Sequence, residues 1–428
     1  MNSLHSSSPL ILRVPNEIHH HIFSCLYDLS RDEPFLHYRL NGKDYEVSQM
    51  LVLRCVCRHF RTLTAELDFW YDPDFEFTDL IRPFEHGEFG PLYRETEFLR
   101  VLFSDPNLVN SLGQRKTHWV FKSLQGLMAV LEGVPLFVQN ARGIHLEIMD
   151  SIQATGLDIA IRLLAACSQI TELSTRSADT INLSAIAASF PFLRSLSCPE
   201  TDNFRGSLEQ LSHLRTLHLS AWKNRVLANQ PWLPLRSAET LNELNLNYGP
   251  NVDTAFFNPD SLRAFVNLKS LAIQYLNESF CEFIIGARIQ LDIFDITLIQ
   301  RRLPIHRFVD MLRADCLQNL KELGLSNFLD DKSDRNATEQ YWSRIFDAFT
   351  SMLPSVEEVQ LDTPLHLKWC PYFARMSNLK ILNWDGSGNP PFGCGRTGNP
   401  KAKIVRKLNA AFANFIEKPQ FAVHLMWY

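Results

Sequence analysis

Apolar residues recur along the chain in one pattern, in which the first, fourth and sixth positions of a short segment are apolar. Nine segments show the pattern, and their first residues lie 21 to 36 residues apart. The alternation of the fourth, fifth and sixth positions predicts a strand with the fifth side chain on the opposite side from its neighbours. The segments are 170–173, 193–198, 214–219, 241–246, 268–273, 291–296, 320–325, 356–361 and 379–384.

A single strand of this kind cannot bury its own apolar side, so the nine units are expected to stack on one another. Spacings of about 20–29 residues are typical of leucine-rich repeats. The longest interval contains the polar run 330–334, which is expected to lie in a surface loop. Unrelated strands of an ordinary α/β domain are the alternative. Nine matches in one register favour an irregular leucine-rich-repeat solenoid, a horseshoe of the α/β class.

The segments on either side are expected to complete this fold. Residues 76–135 are predicted to be a helical linker and degenerate first repeat, with a helix at 93–102, a strand at 117–121 and a helical face at 124–131. Residues 136–390 are assigned to the repeats, with a further strand at 143–148. Residues 391–428 are predicted to be a loop and a cap, with a helix at 401–416 and a final strand at 421–425, because the end of a repeat stack needs a cover.

Two apolar segments occur before residue 75, separated by a polar one. Pro15 fits the first turn of a helix, where its missing N–H would have no partner in any case. Ile18, Ile22 and Leu26 follow at helical spacing. The polar segment 28–46 carries the turn signal Asn-Gly at 41–42 and is expected to be a long loop. The second apolar segment runs from residue 50 to residue 70.

These two segments resemble an F-box. The family's Leu-Pro-x-Glu-Ile start matches residues 14–18 with Val14 in place of the usual Leu, Val-Cys-Arg-x-Phe matches residues 56–60, and a closing Trp follows. The resemblance covers residues 10–72 and implies a three-helix domain, residues 1–75, that docks on a Skp-family adaptor. The long segment 28–46 departs from the family pattern. The resemblance implies adaptor contacts, some of which must instead fill the small core, at Pro15, Ile18, Ile22, Val56, Cys57, Phe60 and Trp70.

An F-box followed by leucine-rich repeats is similar to a class of fungal proteins. The resemblance implies a non-catalytic substrate receptor of an SCF-type cullin-RING ubiquitin ligase, acting in ubiquitin-dependent degradation. Its partners would be the Skp-family adaptor, the cullin and a protein substrate held by the repeats. The alternative is a leucine-rich-repeat scaffold for protein–protein interaction that has no ligase role.

Composition narrows the function classes. An apolar content of 46% excludes a disordered chain, and a formal charge of −5 argues against nucleic-acid binding through bulk basic charge. No apolar run approaches the ~18 residues of a membrane helix, and the N-terminus has no signal-peptide core. The expected location is therefore the cytoplasm, the nucleus or both. Nine irregularly spaced cysteines do not indicate a disulfide scaffold.

Candidate chemistry is limited to one weak motif. Residues 393–398 match G-x-G-x-x-G, but Pro-Pro precedes the motif and Asn-Pro follows it, so the strand and helix of a dinucleotide site are not predicted there. A nucleotide-dependent enzyme is accordingly the least favoured hypothesis. Since no nucleophile elbow, metal helix or Walker loop occurs, the sequence predicts no enzyme, no cofactor and no metal.

Acidic residues recur at the third, fifth and seventh positions, which are expected to line the concave face of the sheet. Asp292 and Glu357 occur at the second position, but so do basic residues that could neutralise the edge of this face, namely Arg194, Arg215, Lys269, Lys321 and Lys380. One interpretation is an ordinary solvated surface. The sharper one is an acidic groove that binds a basic segment of the substrate. Its candidate substrate-binding residues are Glu243, Asp295, Glu322, Glu358, Asp362 and Asp385.

Overall fold

The structure is a computed structural model of the 428-residue chain. It describes residues 15, 18, 22, 35–40, 43–48, 60, 63, 81–83, 99–100, 102–148, 156–176, 180–201, 203–221, 233–248, 259–287, 289–299, 303–326, 335–362, 370–385 and 422–426. The chain divides into two compact units, residues 1–181 with 188–193, and residues 182–187 with 194–428.

Strands and helices alternate along most of the described chain. The strands are β1 Phe35–Leu40, β2 Lys43–Ser48, β3 Ile81–Pro83, β4 His118–Phe121, β5 Gly143–Glu147, β6 Glu172–Arg176, β7 Thr180–Asn182, β8 Ser195–Thr201, β9 Asn203–Arg205, β10 Thr216–Ala221, β11 Glu243–Tyr248, β12 Ser270–Leu276, β13 Ile293–Ile299, β14 Glu322–Ser326, β15 Glu358–Asp362, β16 Ile381–Asp385 and β17 Ala422–Met426. The helices are α1 Pro106–Arg115, α2 Leu124–Gly133, α3 Phe137–Asn140, α4 Gly156–Leu164, α5 Leu183–Ser189, α6 Glu278–Gly286, α7 Ile305–Leu312, α8 Arg335–Met352 and α9 Cys370–Phe373.

The polar segment between the two F-box-like stretches contains a β-hairpin. Strands β1 and β2 pair antiparallel, with Leu40 opposite Lys43, and β2 pairs antiparallel with β3. The two residues between Leu40 and Lys43 are Asn-Gly, the pair that favours a two-residue hairpin turn. The expected long loop at 28–46 is therefore wrong for residues 35–40 and 43–46, which are strand. The Asn-Gly pair predicts the turn, but the polar composition of the flanking residues does not predict the two strands.

Three parallel strands of the first unit follow the same design as the repeats. Strand β4 pairs with β5 and β5 with β6, which confirms the strands predicted at 117–121 and 143–148. The core between β4 and the following helices is aromatic. The Trp119 and Phe137 rings make an edge-to-face contact with centroids 5.1 Å apart, and Phe121 lies 5.9 Å from Phe137.

The second unit contains a sheet of nine strands that run parallel in chain order, β8, β10 and then β11 to β17. Neighbouring strands align the same position of each repeat, as when Leu217 lies opposite Leu244 and Leu244 opposite Leu271. The first, fourth and sixth positions of the middle repeats are buried, and Leu241, Leu244 and Leu246 are examples. The predicted register of the repeat is therefore confirmed. The final strand predicted at 421–425 is also present as β17, paired with β16.

A row of side-chain hydrogen bonds links the turns that lead into the strands. The residue just before the first apolar position bonds to the neighbouring repeat in five places: Thr240 Oγ1 donates to Leu214 O at 2.8 Å, Asn267 Nδ2 to Glu239 O at 2.7 Å, Asn319 Nδ2 to Gln290 Oε1 at 3.1 Å, Ser355 Oγ to Gln318 O at 2.5 Å, and Asn378 Nδ2 to Pro354 O at 2.7 Å. We call Thr240, Asn267, Gln290, Asn319, Ser355 and Asn378 the turn ladder. Four of its bonds satisfy backbone carbonyls of the preceding repeat, and the Asn319 bond joins two side chains.

Several sequence predictions fall outside the described residues. They are the polar loop at 330–334, the glycine-rich loop at 393–398 and the helix at 401–416.

We expect Leu244→Ala to lower the free energy of unfolding by ~2–5 kcal/mol, because the buried side chain leaves a cavity between two strands. Asn245→Ala, on the opposite side of the same strand, should cost less than ~1 kcal/mol. Chemical denaturation of both variants measures the difference. A larger loss for Asn245→Ala would contradict the register.

The turn ladder should contribute modestly at each position. Asn267→Ala is expected to cost ~0.5–1.5 kcal/mol, the usual net contribution of one hydrogen bond. Asn242→Ala is the matched control, since Asn242 is an exposed asparagine of the preceding repeat. Equal unfolding free energies for the two variants would show that the turn bond contributes nothing.

Candidate functional site

The solvent side of the second unit's sheet carries polar side chains in rows. We call it the outward face and define it by the third and fifth positions of each repeat. Adjacent strands place these side chains about 4.8 Å apart, so each row brings together residues that are 20 to 40 positions apart in the sequence. The fifth-position row reads Ser197, His218, Asn245, Ala272, Asp295, Gly324, Gln360 and Asn383.

Second-position charges pair with one another rather than with the outward face. Lys321 Nζ lies 3.4 Å from Asp292 Oδ1, and Lys380 Nζ lies 2.6 Å from Glu357 Oε2. All four side chains are more than a third exposed, so these pairs contribute little to stability. Their consequence is electrostatic, because two of the bases expected to neutralise the acidic face are already paired with acids of their own row.

Three carboxylates lie on the adjacent strands β13, β14 and β15. Asp295, Glu322 and Glu358 form this group, which we call the acid row. Burial raises the pKa of Asp295 and the Glu322 charge raises it further, while a hydrogen bond from the Gly324 backbone lowers it. Burial raises the pKa of Glu322 as well, and the Glu358 charge adds to that rise against the lowering effect of Lys321. The acid row is therefore a set of carboxylates that repel one another.

Gly324 makes room for the carboxylate of Asp295. A Cβ at residue 324 would overlap the Asp295 side chain, so the carboxylate lies directly over the glycine. Ala272 occupies the same position on the other neighbouring strand. The two smallest residues of the row thus flank Asp295: its carboxylate fills the space above Gly324, and the surface stays low at Ala272.

The remaining predicted substrate-binding residues lie at the two ends of this region. Glu243 is exposed on β11, where its Oε2 accepts a hydrogen bond from Thr216 Oγ1 at 3.4 Å. The backbones of Asp362 and Asp385 lie opposite each other on β15 and β16, with Asp362 four residues after Glu358, but their side chains lie outside the described residues. The structure therefore brings Asp295, Glu322 and Glu358 together and leaves Glu243 apart from them.

The corresponding face of the first unit differs in its charge pairing. His118 Nε2 lies 3.5 Å from Glu172 Oε2, and Arg176 Nη1 lies 3.1 Å from Glu147 Oε1. Acids on the strands β5 and β6 thus have nitrogen partners on a neighbouring strand. The two units cannot offer the same electrostatic surface to a partner.

The predicted adaptor contacts separate into exposed and buried residues. Pro15 is exposed, and Ile18 and Ile22 are helical with 49% and 44% of their surface exposed. Phe60 and Leu63 are both helical, and only 4% and 3% of their surfaces are exposed. Phe60 therefore contributes to the core rather than to a surface. Val56, Cys57 and Trp70 lie outside the described residues.

Little on the described surface suggests catalysis. No group of three or more His, Cys, Asp or Glu side chains there is placed to hold a metal ion. Burial raises the pKa of the Cys167 thiol to about 11. Burial is also the largest cause of the raised pKa of Cys281 and of Cys316, each about 12. These three thiols therefore stay protonated and unreactive. No helix of the described chain is both long enough and apolar enough to span a bilayer.

One Ser–His pair lies on the outward face. Ser197 Oγ is 3.3 Å from His218 Nδ1, and burial lowers the pKa of His218 against the opposing charge of Glu243. The pair sits in the middle of a sheet, where backbone N–H groups are used in the strand ladder and cannot stabilise an oxyanion. We therefore treat it as part of the polar surface.

Comparisons with known proteins identify no family for this chain. No protein-family model matches the chain, and no curated protein does. Among solved structures, an internalin from Listeria monocytogenes is 12% identical over 79% of this chain and 93% of that chain, with a TM-score of 0.35. A leucine-rich-repeat protein from Leptospira interrogans is 12% identical over 69% of this chain and 80% of that chain, with a TM-score of 0.25. The repeat assignment rests instead on the strand register and the burial of the apolar positions.

Two features of the site were not anticipated from the sequence. The first is the ion pairing of second-position residues, which depends on which strands are neighbours. The sequence carries a signal for it, because the charge alternates in sign along Asp292, Lys321, Glu357 and Lys380. The turn ladder had a signal too, since a Thr, Asn, Gln or Ser precedes the first apolar position in six consecutive repeats.

We expect Asp295→Asn to raise stability at pH 7. Because the folded-state pKa of Asp295 is raised, the folded chain binds the proton more tightly than the unfolded chain. This contribution is fully present below the unfolded pKa of about 3.9 and is lost as the pH rises through the folded value. The advantage of the variant should therefore shrink as the pH falls toward 4, which unfolding curves at several pH values would measure. A pH-independent difference would contradict the assigned cause.

Proposed function

We propose that this chain is the substrate-recognition subunit of an SCF-type cullin-RING ubiquitin ligase. In this proposal the first 75 residues dock on the Skp-family adaptor, and the repeats hold the protein to be ubiquitinated. The chain itself performs no catalysis, and other subunits supply the ubiquitin-transfer chemistry. The cytoplasm and the nucleus are the compartments in which such a complex would act.

The observation that carries the proposal is the exposed pair Ile18 and Ile22. Residues four apart on a helix lie on the same face, so the two isoleucines present one apolar patch. Burying each of them in a partner groove would contribute ~1.5–3 kcal/mol by area. Phe60 and Leu63, from the second F-box-like stretch, are buried instead, as the core residues of a small helical domain would be.

A second candidate function is a leucine-rich-repeat scaffold that binds proteins without a ligase. The polar outward face favours it, because that face is accessible to solvent and needs no adaptor to bind a partner. The two functions share the repeat surface and differ only in what the N-terminal residues bind. Adaptor and cullin binding is therefore the property that separates them.

We expect the double variant Ile18→Asp/Ile22→Asp to lose the adaptor and cullin in affinity purification of the full chain. Met128→Asp is the matched control, because Met128 is 44% exposed on a helix of the same compact unit. It should retain both partners. Thermal melting of each variant checks that the fold is intact.

Each outcome decides between the two functions. Loss of both partners from the double variant alone supports the ligase receptor. Retention of the adaptor by a folded double variant contradicts the assignment of Ile18 and Ile22. Absence of adaptor and cullin from the unmodified chain, with other proteins captured, supports the scaffold.

A further inference from the structure

The sheet region formed by β13, β14 and β15 is accessible to a partner. Glu322 and Gln360 are exposed, and Asp295 and Glu358 are half-buried, so none of the four is covered by another described element. Ala272 keeps the surface low on one side of Asp295, whereas the Asp295 carboxylate covers Gly324 on the other side. A polypeptide can therefore approach the sheet closely at Ala272 without first displacing a side chain.

The charges that remain on this region are of one sign. Lys321 and Lys380, the nearby bases of the second-position row, are paired with Asp292 and Glu357. Within the described residues, no Lys or Arg lies within ion-pair distance of the acid row. Glu358 Oε1 accepts a hydrogen bond from the neutral Asn383 amide at 2.7 Å. The acid row therefore has no ion-pair partner among the described residues, unlike Glu147 in the first unit, which pairs with Arg176.

The mutual repulsion of the carboxylates gives a cation a specific advantage. Each of Asp295 and Glu322 has a raised pKa to which the neighbouring carboxylate contributes. A cationic side chain placed between them would relieve that repulsion as well as form new contacts. Such attraction acts mainly on the association rate and weakens with salt.

The spacing of the row fits an extended chain. Asp295 lies opposite Gly324, which lies opposite Gln360, so Glu358 is two strands away and two residues back along its strand, about 12 Å in all. In the polyproline II conformation an extended chain advances about 3.1 Å per residue with three residues per turn, so side chains three residues apart point the same way and span about 9 Å. Long Lys or Arg side chains can adjust over the remaining two to three ångströms.

We propose that the outward face of β13 to β15 is the docking surface for an extended basic segment of the captured protein, with Lys or Arg residues about three positions apart. This inference rests on the proposed function only in taking the repeats to be the partner-binding part of the chain. Charge complementarity identifies the occupant. The acid row binds the basic side chains, and the low surface at Ala272 receives the main chain.

The test uses the full chain and a fluorescent ten-residue peptide of Ser and Gly with Arg at positions 2, 5 and 8. A peptide with Glu at the same positions is its control. Binding is measured by fluorescence anisotropy at low and at physiological salt. We expect the Arg peptide to bind, the Glu peptide not to bind, and the affinity to fall with salt.

Charge reversal locates the surface. Glu322→Lys should weaken binding of the Arg peptide by about tenfold or more, and Glu322→Gln should weaken it less. Glu209→Lys is the matched control, since Glu209 is an exposed glutamate of the same unit and its reversal changes the net charge equally. It should alter binding by less than about twofold, as expected for a remote screened charge. Thermal melting confirms that each variant is folded.

The contrary results are distinct. Equal weakening by Glu209→Lys and Glu322→Lys would reduce the effect to net charge and overturn the proposal. Binding of the Glu peptide, or binding unaffected by salt, would overturn it as well. The basic residues of the chain's own segment 396–407 are a different possible occupant. If replacing them with Gln strengthened peptide binding about tenfold, the face would belong to that segment and the proposal would fail.

Failure of this inference and failure of the ligase assignment give different signatures. If the peptide binds at the acid row but neither adaptor nor cullin is captured, the docking surface is supported and the ligase function is contradicted. If adaptor capture depends on Ile18 and Ile22 but the peptide does not bind, the ligase function is supported and the docking surface is contradicted.

Discussion

Register-matched burial of the fourth and sixth positions between adjacent strands is the interaction on which the second unit depends. Leu244 is buried because Leu217 and Leu271 lie beside it on the two neighbouring strands. A slip of one residue in any strand would turn its leucines to solvent and its polar residues to the core. The leucines therefore fix the backbone positions of the outward face, although they never appear on it.

The electrostatics of the outward face follow from that register. Asp292 and Lys321 belong to repeats 29 residues apart in sequence and become neighbours only because their strands align. The same alignment brings Asp295, Glu322 and Glu358 together. Since Lys321 and Lys380 pair with Asp292 and Glu357, this part of the sheet places two ion pairs beside the carboxylates of the acid row. The charge of the outward face is therefore unevenly distributed, which the net charge of the chain does not reveal.

Sequence reasoning succeeded where one physical effect dominates and was weaker where two compete. The repeat register was predictable because apolar burial overrides other preferences at Leu217 or Leu323. The hairpin at 35–48 was missed because its polar composition resembled a loop, although Asn-Gly at 41–42 indicated a turn. The roles of Ile18 and Phe60 were not separable from the sequence, since both are apolar residues at helical spacing. Only their burial distinguishes a core position from a surface one.

The turn ladder has a consequence for how such a chain can change over time. Intervals of 23 and 36 residues between repeats return to the same register, since Glu322 aligns with Glu358 and Glu358 with Ile381. The longer interval accommodates the 18-residue helix α8 without altering the strands on either side. Ser355 and Asn378 fix the chain just before each strand begins. Added length is therefore confined to the segment between the end of one strand and the turn that leads into the next. Insertions and deletions can therefore accumulate between the strands while the side-chain rows of the outward face keep their alignment.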